Sequence, residues 1–177
     1  ISETIRTAVK PSQLTTECVS TECTDIDAFM QGKDLSVQFY ANLDNPANSV
    51  GPSRITYSVA TSGADAGVLI ETLQTPQDAD PSTPDVVDPA SNGYVYCTDD
   101  SSACQSHTHV RRLAQGVQTS APIFRYYGPD GTRLASAGSG LTSNDLQKVL
   151  SIELAVTVQD ISGGYEPKPT TYIQRVT

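Results

Sequence analysis

Cys18, Cys23, Cys97 and Cys104 are the residues best placed for covalent chemistry, and they stand in two tight pairs set among Ser, Thr, Asp and Glu. Four cysteines allow three disulfide connectivities, of which local pairing, Cys18–Cys23 and Cys97–Cys104, is the simplest. A zinc site would need four thiolates brought together, usually at closer spacing. Closing such short loops contributes only ~2–3 kcal/mol each, but it pins surface excursions. Disulfides imply an oxidising, extracytoplasmic setting.

His107-Thr108-His109 would place two imidazoles on one strand face, which is half a metal site. Only Asp99 and Asp100 lie near in sequence, and a solvated pair of histidines at a strand edge is the plainer reading. Asp78, Asp80, Asp85 and Asp88 could offer carboxylates to calcium, yet the D-x-D-x-D-G loop with its closing Glu is absent. Serines are plentiful, but there is no G-x-S-x-G and the two histidines stand together. Gly138-Ser139-Gly140 is not followed by the Gly-Lys-Ser/Thr that a phosphate cradle requires. The residues therefore predict no catalytic centre, no cofactor and no metal.

The elements that carry these residues are mostly strands. Leu35–Leu43 places Leu35, Val37, Phe39, Ala41 and Leu43 on one face, and Leu150–Val158 does the same with Leu150, Ile152, Leu154, Val156 and Val158. Arg54–Val59 repeats the pattern, and Val68–Gln74 follows after a Gly-rich turn. Strict alternation means one buried and one wet face, which is the mark of antiparallel pairing. Further strands are expected at 94–97, 109–117, 123–127 and 171–176, with a Gly128–Thr132 turn and a helical turn at 142–146. Ile1, Ile5, Ala8 and Val9 form one helical stripe that Lys10 and Pro11 end. The stripe has no cap at its start, and ten residues are too few for a free helix, so the helix is expected to continue upstream of Ile1. The order predicts one α+β domain over 1–177, with an N-terminal helix packed on an antiparallel sheet. Residues 12–34 read as a connecting loop.

The formal net charge is -9, with thirteen acidic against four basic residues in 1–90 and seven of each in 91–177. Such a surface repels phosphate backbones and disfavours nucleic-acid binding. Residues 74–92, with four prolines and four aspartates, have no strand or helix period and form a surface excursion. Asp78, Asp80, Asp85 and Asp88 are accordingly its candidate partner contacts. No segment reaches the ~18 apolar residues of a membrane-spanning helix.

The helix end ISETIRTAVKP, the strands LSVQFYANL, RITYSV, VLIETL, VLSIELAVTV and YIQRVT, and the stretch Phe124–Gly131 resemble, in that order, the globular part of type IV pilin-like proteins. The nearest patterns are the minor pilins and the J-class pseudopilins of type II secretion. The resemblance implies a precursor anchored in a membrane by an apolar helix ahead of Ile1. It also implies other pilin or pseudopilin subunits as partners, and a place in a pilus or secretion filament at the cell surface or in the periplasm. The family's processing Gly and the Glu after it would lie outside this sequence. The acidic insert and the cysteine pairs depart from the plainest members. The competing reading is a secreted β-rich adhesion module for carbohydrate or a receptor, against which the lack of Trp counts.

Overall fold

A computed structural model of the chain describes residues 1–10, 13, 27–46, 51–77, 94, 96–97, 101–136, 139–159 and 168–177. In chain order these form α1 (Ser2–Arg6), β1 (Phe29–Gly32), β2 (Ser36–Ala41), β3 (Ser53–Val59), β4 (Leu69–Gln74), α2 (Ser102–Gln105) and β5 (Thr108–Ala114). Then come β6 (Phe124–Tyr127), β7 (Arg133–Leu134), α3 (Ser143–Leu146), β8 (Ser151–Val158) and β9 (Thr170–Val176). The strands make two antiparallel sheets, ordered β1-β2-β3-β4-β5 and β7-β6-β8-β9.

The alternating strands bury their apolar faces against each other. Val37, Phe39, Ile55, Tyr57, Val59 and Leu69 of the first sheet share one core with Phe124, Tyr126, Ile152, Leu154, Val156 and Val176 of the second. This overturns the expected α+β fold: the sheet's cover is a second sheet, and the described helices are three segments of four or five residues. The stripe Ile1, Ile5, Ala8, Val9 is real but only its first part is helical. The Thr7 hydroxyl donates to Thr4 O at 2.7 Å and closes the turn. Ala8 then bridges to Ala41, and the Val9 N–H donates to Tyr40 O at 2.9 Å, so the chain leaves the helix to line up beside β2. A five-residue helix has almost no hydrogen bonds to offset its nucleation. Ile5, buried between the layers, holds it in place.

The expected meander 35–43, 54–59, 68–74 is present as β2-β3-β4, in a continuous register that aligns Phe39, Ile55 and Leu73 across the inner face. β1 lies inside the stretch read as a loop. The link between β1 and β2 is clamped by the second sheet. Ile123 and Phe124 N–H donate to Asp34 O at 2.8 and 3.0 Å, and the Tyr126 hydroxyl donates to Lys33 O at 2.9 Å. β5 starts at Thr108 and ends at Ala114, shorter than expected. The Gly128–Thr132 turn and the helical turn α3, capped by the Thr142 hydroxyl, fall where the sequence places them.

Candidate interaction surface

Cys97 and Cys104 form a disulfide with Cα atoms 5.2 Å apart. The loop holds α2, whose N-cap is Ser101. The sequence reading expected a strand at 94–97 and no helix here; a capped turn beside a bond that closes a sequence separation of 7 is the shape the bond allows. Just before it, Tyr96 lies against Tyr40 on the outer face of the first sheet, ring centroids 5.8 Å apart, with Tyr94 and Met30 completing a small second core. Arg54 lies 4.7 Å above the Tyr96 ring, and both Arg54 and Gln74 donate to Cys97 O at 3.2 Å. Gly51, at φ +98, passes under Tyr94 where a Cβ would overlap the ring. The disulfide thus anchors a segment that buries aromatic surface. Replacing both Cys97 and Cys104 by Ser is expected to lower stability by roughly 2–3 kcal/mol, read as a lower urea midpoint. An unchanged midpoint would show that the aromatic contacts alone hold the segment.

The other residues singled out by sequence do not converge. His107 follows α2, its Nδ1 3.3 Å from the Thr75 hydroxyl. His109 lies on β5 opposite Leu73. Among the described residues no group of three His, Cys, Asp or Glu could hold a metal ion. Cys18, Cys23, Asp78, Asp80, Asp85, Asp88, Asp99 and Asp100 lie outside the described residues.

Sequence reasoning missed a buried charged cluster. Glu71 sits on the inner face of β4, 4% exposed. Its Oε2 accepts from the Tyr57 hydroxyl at 2.6 Å, and its Oε1 accepts from Arg111 Nε at 2.7 Å. Burial pushes the Tyr57 hydroxyl well above the ordinary tyrosine range, and the hydrogen bond and charge of Glu71 add to it. The signal lay in the register: Val37, Tyr57, Glu71 and Arg111 are successive neighbours across four strands. A buried carboxylate with a hydroxyl donor and an arginine is a satisfied structural cluster. A second charged row, Arg125-Glu153-Arg175, crosses the outer face of the second sheet. There Arg125 Nη1 donates to Glu153 at 2.5 Å, and Arg175 covers the Tyr127 ring at 4.0 Å.

What remains open is the seam where the two sheets part. α1 lies between β5 and β9, with the Ser2 hydroxyl donating to Gln174 Oε1 at 2.6 Å. Beside it runs a groove of about 520 Å³ whose lining includes Ile1, Glu3, Arg6, Leu113, Val156 and Tyr172. The sheet edges differ in protection. β1 has four residues and a register shift, and β7 has two residues. β5 has a shift and two arginines, Arg111 held by Glu71 and Arg112 by Asp65 at 2.6 Å. β9 pairs with β8 over seven positions without a shift and carries one charge, Arg175. Short strands, bulges and charges are how edges are kept from pairing with other chains. β9 has the fewest of these devices.

The chain matches no family model, no curated protein and no solved structure.

Proposed function

We propose that this domain acts by assembly and not by turnover, as a structural subunit of an extracytoplasmic filament or surface assembly. The observation that carries the reading is the seam: a groove of mixed polar and apolar lining beside α1, bordered by the long and little-protected edge of β9. The Cys97–Cys104 disulfide supports an oxidising location. Glu71, the buried charge of the described core, is taken up by the Tyr57 hydroxyl and Arg111. A pilin or pseudopilin is the form of subunit that the ordered sequence segments suggest. That support rests on those segments, because the two-sheet architecture differs from the helix-on-sheet arrangement expected with them.

The test uses the natural full-length protein in its own cell. Surface material is sheared off, pelleted and probed with an antibody against this domain. The chain is expected in the pelleted fraction and on labelled fibres in the electron microscope. Recovery solely as a soluble monomer in the medium would overturn the filament reading and leave the adhesion module. For carbohydrate, Tyr172 is the exposed tyrosine among the described residues that such a module could use, since Arg175 caps the ring of Tyr127.

A further inference from the structure

We propose that the free edge of β9 is a self-association site, at which two copies of this chain pair antiparallel about Ile173 and join their four-stranded sheets into one. The inference rests on the assembly reading above and specifies one of its contacts.

The direction of the backbone groups follows from β8. The Ala155 N–H donates to Ile123 O at 2.8 Å, and Thr157 O accepts from the Gln118 N–H at 2.8 Å. Odd-numbered residues of β8 therefore turn their backbone toward the β6 side, and even-numbered ones turn theirs toward β9. The β9 partners of those even residues are Tyr172 opposite Val156, Gln174 opposite Leu154 and Val176 opposite Ile152. Thr171, Ile173 and Arg175 are left with N–H and C=O pointing out at the edge, and no described backbone group pairs with them. Ile173 is 61% exposed and Tyr172 58%.

A second copy fits this edge by symmetry and by charge. With Ile173 on the dyad it faces itself, Thr171 faces Arg175 and Tyr172 faces Gln174. The three outward-pointing residues then become hydrogen-bonded pairs, giving roughly six backbone bonds. No like charges are opposed, because Arg175 is the only charge in the strand and meets a threonine. Pairing also takes Ile173 out of water and brings Tyr172 to the mouth of the groove from both sides. A closed dyad of this kind is an isologous contact.

The register makes the test specific. In a hydrogen-bonded antiparallel pair the facing Cα atoms are about 5.5 Å apart, within the range a disulfide spans. Ile173→Cys in the otherwise unchanged chain is expected to form a covalent dimer on mild oxidation, at high protein concentration. Thr171→Cys is the control: on the same exposed edge, it lies roughly 13 Å from its own copy in this register. The Ile173 dimer should exceed the control roughly tenfold, and mixing Thr171→Cys with Arg175→Cys should restore a heterodimer. Without cysteine chemistry, the unaltered chain should show a concentration-dependent rise in sedimentation coefficient, which Ile173→Lys abolishes without changing the thermal midpoint. Equal cross-linking at 171 and 173, or a monomer at every concentration, overturns the β9 pairing. If fibres in the cell still contain the chain, the assembly reading stands and only this contact falls.

Discussion

Replacing Phe39 by Ala is expected to destabilise the chain by about 3–5 kcal/mol, the usual cost of removing a buried ring. Phe39 is fully buried at the centre of β2. It touches Phe29 at 5.7 Å and Tyr57 at 6.2 Å between ring centroids, and Ile55 stands opposite it in the ladder. The cavity cannot collapse easily, because its walls come from three strands of one sheet and face a second sheet. In a chain of this size the loss corresponds to a thermal midpoint lower by roughly 6–20 °C. Gln38→Ala is the matched comparison. Its side chain points to the outer face and its amide donates to the Thr56 hydroxyl at 2.9 Å, so its loss should cost about 1 kcal/mol or less. Similar shifts for both would mean that the inner and outer faces of β2 have been misassigned.

That comparison shows what the amino-acid order discloses and what it withholds. Alternation in Leu35–Leu43, Arg54–Val59 and Leu150–Val158 marks which side chains are buried, because a strand puts every second residue on one face. It does not say what covers the face. A ten-residue stripe starting at Ile1 looked sufficient, but the inner faces of β2, β3 and β4 present more apolar surface than a turn and a half of helix can cover. Phe124, Tyr126, Ile152, Leu154 and Val156, read individually as strands of the same sheet, supply that cover as a second layer. β1 escaped notice because Phe29-Met30-Gln31-Gly32 is too short for a periodic signal and sits in a polar stretch. α2 was hidden inside the disulfide loop.

The candidate surface was less legible than the core. YIQRVT reads as a strand, but only the sheet order makes it an edge. Its importance comes from a comparison with β1, β5 and β7 that no single segment contains. Glu71 shows the same limit. In VLIETL it looks like the solvent-facing residue of a strand, and only the positions of Tyr57 and Arg111 beside it explain why a carboxylate is inside.

Alkali is expected to unfold this chain at the point where three hydroxyls can no longer keep their protons. Tyr57, Tyr96 and Tyr126 are all buried, and burial pushes each hydroxyl well above the ordinary tyrosine value near 10. Neighbouring negative charge strengthens the effect, from Glu71 at Tyr57 and from Asp34 at Tyr126. The folded chain therefore holds protons that the unfolded chain releases. Stability is fully present below pH 10 and is lost as pH rises above it, by roughly 1.4 kcal/mol per pH unit for each hydroxyl that stays protonated. Tyr96 donates to Pro52 O at 2.5 Å and Tyr126 to Lys33 O at 2.9 Å, so ionisation also forfeits a buried hydrogen bond at each. The measurement is tyrosinate absorbance followed together with far-ultraviolet circular dichroism. Part of the absorbance of the eight tyrosines should appear only as the strand signal collapses. Tyr126→Phe keeps the ring and removes one proton from the count. It should make the fall of stability above pH 10 less steep, while costing about 1 kcal/mol at neutral pH through the lost bond. If every tyrosine ionised with one ordinary midpoint while the strand signal stayed intact, these hydroxyls would be reached by water, and the packing of the two layers around Tyr57 and Tyr126 would be refuted.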